Sequence, residues 1–130
     1  MNSLTDTTGR PTLSIVVPLC NEEGNVTLLL EKLRDAVQTL GVPYEVILVD
    51  DGSSDATWSI VSEAVAKDDR LKGLSLSRNL GHESAMFAGL YHSSGDAVVT
   101  MDGDLQHPPS VVPELFRAWQ QGSKVVETQR

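Results

Sequence analysis

The feature that most constrains this chain is an alternation: short runs rich in Ile and Val are each followed by a segment whose apolar residues recur at helical spacing. The first run, 13–19, reads Leu-Ser-Ile-Val-Val-Pro-Leu, the pattern of a strand buried on both faces. After it, Val26, Leu29, Leu30, Leu33, Val37 and Leu40 fall at helical spacing. Asn25 stands where it can cap that helix, and Gly41 with Pro43 closes it. The unit then repeats. A second strand is expected over 45–49, a turn over 50–55, and a helix over 56–66 that buries Trp58, Val61 and Val65. A third strand over 72–76 leads through 77–81 into a helix carrying Ala85, Met86, Ala88, Gly89 and Leu90, whose small residues permit close packing on a sheet. A fourth strand over 97–101 precedes Pro108, Pro109 and a helix over 110–121, stopped by Gly122, and 124–128 begins a fifth strand.

Such alternation predicts an α/β fold: a mostly parallel sheet with helices on both faces, right-handed crossovers, and ligands at the carboxyl ends of the strands. Residues 1–12 lack periodicity and read as a flexible lead-in, and 13–130 suit a single core. Because no further helix follows the fifth run to cover it, the chain is expected to be the first part of a longer protein.

Composition narrows the partners. A formal charge of −8 argues against nucleic acid, whose phosphates are bound by Lys and Arg clusters, and an acidic chain that binds phosphates calls for a metal. The single cysteine, Cys20, cannot form an internal disulfide, and 1–11 holds no apolar stretch of the signal-peptide kind, so a reducing, cytoplasmic setting is expected. No run approaches the roughly 20 apolar residues that cross a bilayer.

Three acidic clusters fall at predicted strand ends: Asn21-Glu22-Glu23, Asp50-Asp51 and Asp102-Gly103-Asp104. In a parallel sheet these ends share one edge. Carboxylates gathered there repel unless a divalent cation or a network of donors offsets them, and oxygen ligands suit Mg²⁺ or Mn²⁺ better than zinc. The triplet alone decides nothing, since ten Asp in 130 residues give about 0.8 Asp-x-Asp by chance. Position decides more. Asp55, just before a helix, reads as a cap, whereas Asp51 and Asp104 emerge from buried strands and read as functional. His82 and His92 read as solvated or structural, and Leu115, Phe116 and Trp119, at helical spacing, as core.

Ser14-Ile15-Val16-Val17-Pro18 with Asn21-Glu22-Glu23, then Val49-Asp50-Asp51-Gly52-Ser53-Ser54-Asp55, resembles the opening of a family 2 glycosyltransferase. Ser77-Arg78-Asn79-Leu80-Gly81-His82 and Met101-Asp102-Gly103-Asp104-Leu105-Gln106-His107-Pro108-Pro109 are similar to the branch that loads sugars onto polyprenyl or dolichyl phosphate, with dolichyl-phosphate mannose synthase among its members. The resemblance implies a GT-A fold, of which this chain is the Rossmann-like, nucleotide-sugar-binding part. It also implies transfer with inversion from a UDP- or GDP-sugar to a lipid phosphate, assisted by Mg²⁺ or Mn²⁺ at the cytoplasmic face of a membrane. By the same resemblance Pro18, Glu22, Val49 and Asp51 form the nucleoside pocket, with Asp51 accepting from the base. Asp102 and Gly103 approach the ribose and sugar, Asp104 is the main metal ligand, Gln106 a second contact to metal or diphosphate, and Arg78 a neighbour of the phosphates. The resemblance also makes Asp102 and Asp104 the expected catalytic pair.

Three positions depart from the family pattern. Cys20 stands where a Tyr is frequent, removing a stacking surface. Gly103 replaces the more usual Ala, a change expected to loosen the loop. His107 stands in place of Asp or Asn. Two other classes compete: a non-catalytic nucleotide-binding module, and a receiver-type Mg²⁺-binding signalling domain, whose paired acids follow its first strand rather than its second. A nucleotidyltransferase would carry a basic glycine-rich loop where 18–24 is acidic.

Overall fold

A computed structural model describes residues 11–104 and 108–121. Along the chain run β1 (Leu13–Leu19), α1 (Val26–Gln38), β2 (Tyr44–Asp50), α2 (Thr57–Lys67), β3 (Leu71–Ser75), α3 (His82–Tyr91), β4 (Ala97–Thr100) and α4 (Val111–Gln120). These are the expected elements, with ends shifted by a residue or two. The expected fifth strand over 124–128 lies outside the described residues.

The four strands form one parallel sheet in the order β3-β2-β1-β4. Every residue of β1 is buried, as its largely apolar run requires of a strand with neighbours on both edges and helices on both faces. The period of two sorts its side chains. Leu13, Ile15, Val17 and Leu19 join a core with Leu29, Leu33 and Val37 of α1, Val61 of α2, and Val112 and Phe116 of α4. Val16 faces the other way and, with Ile47 and Val49 of β2, packs on Ala85 of α3. Gly89 lets α3 lie close to β1, because a Cβ there would run into the Val16 side chain.

This distribution follows from crossover handedness. The chain steps outward from β1 to β2 to β3 with α1 and α2 on one face, then reverses past β1 to β4, which puts α3 on the opposite face. The reversal leaves a crevice between the carboxyl ends of β1 and β4, where open α/β sheets bind ligands. The order also departs from the receiver arrangement, in which the third strand lies beside the first.

Some details differ from the sequence reading. Of the three residues expected to be buried by α2, only Val61 is fully so; Val65 is half-buried, and the half-buried Trp58 lays its ring over Gly73 of β3. Asn25 occupies the cap position of α1 but makes no cap bond. Its Nδ2 donates instead to Glu22 Oε1 at 2.9 Å, while the Glu22 carbonyl accepts from the Asn25 and Val26 amides. Asp55, expected to cap α2, stands one residue before the cap position, which is Ala56; its Oδ1 accepts from the Thr57 amide at 2.9 Å. Phe116 is core, with Leu115 and Trp119 packed against it.

At the opposite, amino edge of the sheet, Glu45 is buried at 3% exposure. Its Oε2 accepts from Ser14 Oγ at 2.6 Å and from the Ser94 amide at 2.7 Å, while Lys72 Nζ lies 2.5 Å from Oε1, which no other donor reaches. Burial pushes the Glu45 carboxyl up, but Lys72, Ser14 and Ser94 outweigh it and hold the group below the usual carboxylate range. Among the described residues no helix is long and apolar enough to cross a membrane.

Candidate functional site

A cleft of about 270 Å³ opens at the carboxyl ends of the strands. Pro18, Leu19, Cys20 and Glu22 line it from β1 and its loop, Asp51 from the end of β2, Asn79, Gly81 and His82 from the entry to α3, and Asp102, Gly103 and Asp104 from the exit of β4. A larger groove of about 910 Å³, between α1 and α2, holds none of the three acidic clusters. The cleft at the strand switch is therefore the candidate site.

Six of the residues singled out from the sequence line it: Pro18, Glu22, Asp51, Asp102, Gly103 and Asp104. Val49 and Arg78 do not. Val49 is wholly buried in the core facing α3, where alternation along β2 sends its side chain into the sheet face rather than the edge. Arg78 is exposed, and its backbone packs against Gly52. Gln106 and His107 lie outside the described residues. The glycine at 103 is buried, and a Cβ there would press on the end of the Leu19 side chain, so its smallness lets the β4 exit lie against β1.

Hydrogen-bond donors meet several acids along this edge, although the buried Asp50 keeps Oδ1 without a hydrogen-bond partner. Asp51, 4% exposed, accepts from the Leu80 amide through Oδ1 at 2.8 Å and from the Gly81 amide through Oδ2 at 3.1 Å. Asp55 accepts from Thr57 and from the Glu23 amide, and these donors, Thr57 first, hold its carboxyl below the usual range. The Glu22 amide donates to Thr57 Oγ1 at 2.8 Å, and Asn21 Oδ1 accepts from the Ser54 amide at 2.8 Å. The loops after β1 and β2 are thereby laced together. Gly52, at φ +66°, sits where a Cβ would meet the backbone of Arg78 and Asn79, so the loop before α3 is seated directly on the turn after β2.

Cys20 lines the cleft as a free thiol accepting from Asn79 Nδ2 at 3.3 Å. Burial pushes its pKa up, and the charges of Asp51 and Asp50 push it further, which disfavours the thiolate. His82, read from the sequence as solvated or structural, stands across the cleft with Nε2 2.9 Å from Asp102 Oδ1. That pairing joins residues 20 apart on different elements, and no sequence periodicity announces it.

The sheet order, the switch-point cleft and its acidic lining agree with the motif resemblance, and comparison with known proteins decides the family. Residues 14–130 match the model of glycosyl transferase family 2. The chain belongs to that family. It is 43% identical over 119 residues to the undecaprenyl-phosphate 4-deoxy-4-formamido-L-arabinose transferase of Edwardsiella ictaluri, covering 91% of this chain and 37% of that protein. It is 41% identical over 118 residues to the bactoprenol glucosyl transferase of Shigella phage SfV, covering 91% and 38%. The chain thus spans less than two fifths of the curated relatives it matches. Among solved structures, glucosyl-3-phosphoglycerate synthase from Mycobacterium tuberculosis, in complex with Mn²⁺, uridine diphosphate and glucosyl-3-phosphoglycerate, superposes with a TM-score of 0.64 at 29% identity, over 89% of this chain and 42% of that one. The family 2 chain shares with such GT-A enzymes the parallel sheet and its flanking helices.

Proposed function

We propose that this family 2 chain is the donor-binding part of an enzyme that transfers a sugar, with inversion, from a UDP- or GDP-sugar to a polyprenyl or dolichyl phosphate. The observation that carries the reading is the cleft at the β1/β4 switch, which brings Asp51 from the end of β2 to one site with Asp102 and Asp104 from the exit of β4. The relatives named for undecaprenyl phosphate and bactoprenol support the lipid acceptor.

Pro18, Glu22 and Asp51 form the nucleoside side of the cleft. Asp51 has both oxygens engaged by amides, yet an ionised carboxylate offers about four acceptor sites, so a base N–H can still be accepted. Val49 supports this wall from the core. Asp102 and Gly103 approach the ribose and sugar. Arg78, outside the cleft, is given no part in this arrangement.

Among the described residues no group of three His, Cys, Asp or Glu side chains could hold a metal ion. Asp104 nonetheless fits a site of the kind in which one or two carboxylates share a cation with substrate phosphates and water, and the Mn²⁺ and uridine diphosphate of the mycobacterial synthase support it. Asp104, with Gln106, would hold Mg²⁺ or Mn²⁺, which when bound supplies positive charge to a departing diphosphate. The acceptor phosphate, with a second pKa of about 6, is already anionic near neutral pH, so the chain need not provide a base.

Calorimetric titration with UDP and with GDP, each in Mn²⁺ and in EDTA, tests the reading. Tighter binding of one nucleotide with metal is expected. Binding of neither nucleotide, with or without metal, would remove the donor site.

A further inference from the structure

The pair formed by His82 and Asp102 has consequences for the cleft that the two motifs, read separately, do not disclose. His82 is the first residue of α3, and Asp102 follows the end of β4, so their contact spans the crevice from one wall to the other. An ionised Asp102 carboxylate can only accept, and in that state the 2.9 Å contact has the imidazole donating through Nε2. The residue before it, Gly81, donates its amide to Asp51. One dipeptide, Gly81-His82, therefore grips the acid after β2 with its backbone and the acid after β4 with its side chain. Asp102 is mostly enclosed, at 14% side-chain exposure, while His82 reaches in from solvent at 56%. The enclosed partner is held in place by the accessible one.

We propose that His82 is a positioning residue for Asp102: it holds that carboxylate at the orientation in which it meets the hydroxyl groups of a nucleoside diphosphate sugar. This rests on the donor-binding reading of the cleft. A carboxylate free to rotate would lose entropy on engaging a hydroxyl. One already held by a donor on the opposite wall has lost that freedom before the ligand arrives.

The test is titration of the 130-residue chain with UDP-glucose and GDP-mannose in Mn²⁺, comparing wild type, His82→Ala and His82→Gln. Because the pair is open to water on one side, the expected loss for His82→Ala is modest, about three- to tenfold in affinity. His82→Gln retains a side-chain N–H donor and is expected to recover most of that loss. A double variant, His82→Ala with Asp102→Ala, should bind no worse than Asp102→Ala alone, since the histidine then has nothing to hold. Three results would overturn the inference while leaving the donor site standing: wild-type affinity in His82→Ala, no recovery in His82→Gln, or simple additivity in the double variant. Binding of neither sugar nucleotide by the wild-type chain would overturn the donor reading and this inference with it.

Discussion

The carboxylate of Asp51 and the backbone amide of Gly81 lie 3.1 Å apart, although thirty residues separate them in the chain. With the Leu80 amide on its other oxygen, Asp51 is the anchor that seats the loop before α3 on the end of β2. Asp51→Ala is therefore expected to lower both stability and nucleotide affinity. It leaves two amides without their charged partner, at a cost of about 2 to 3 kcal/mol once the loop's access to water is allowed for. Asp51→Asn should lose nearly as much, because its NH₂ turns a donor toward a donor. Urea unfolding checks the stability half; unchanged stability in both variants would leave Asp51 a contact to the base alone.

Gly52 provides an independent probe of the same joint. Its positive φ is poorly tolerated by side-chain-bearing residues, and a Cβ would meet backbone atoms of Arg78 and Asn79 rather than a side chain that could swing away. Gly52→Ala is expected to cost about 2 kcal/mol or more, measured by thermal or urea unfolding. Hydrogen exchange should show the Leu80 and Gly81 amides losing protection together.

Glu45 predicts a pH dependence with a definite sign. Its folded pKa is depressed below the unfolded value of about 4.3, so its contribution to stability is fully present above that value. The contribution is lost as pH falls through the lower, folded pKa. Glu45→Gln should therefore narrow its stability gap to wild type below about pH 4, while the gap stays constant from pH 6 to 8. Lys72 is half exposed, so Lys72→Met should cost less than Glu45→Ala, which removes the acceptor of Ser14 and Ser94 and is expected to lose about 2 to 3 kcal/mol. Equal gaps across the acid range would show that Glu45 is not stabilised as an anion.

Asp104 separates metal binding from nucleoside binding. Asp104→Asn keeps the side-chain volume and removes the charge, so it should abolish the Mn²⁺ enhancement of UDP or GDP affinity, a loss of about tenfold or more. Affinity in EDTA should stay within about twofold of wild type. Titration of the folded variant with and without Mn²⁺ reads both, and a retained enhancement would return the Asp102-Gly103-Asp104 triplet to the status of a turn.

Legibility in the sequence tracked how local each cause was. The largely apolar run of β1 marked a doubly buried strand, and Asp55 marked a helix start, because both depend on neighbours within a few residues. The strand-end positions of Asp51 and Asp104 placed them on the carboxyl edge of the sheet, because a parallel sheet sends all its carboxyl ends one way. Val49 carries no such mark: membership of a motif says nothing about which side of a strand a residue faces, and the pleat turns its side chain into the core against α3.

The sequence by itself determined the α/β alternation, the family and the acidic edge, since periodicity and motif order survive without coordinates. Only the tertiary structure decided that β4 lies beside β1, that Asp51 holds the loop at Leu80 and Gly81, and that His82 faces Asp102 across the cleft. Each of those is a contact between segments 20 or more residues apart. Such contacts arise from the reversal of strand order and the packing of α3 on the far face, which no short window of residues encodes.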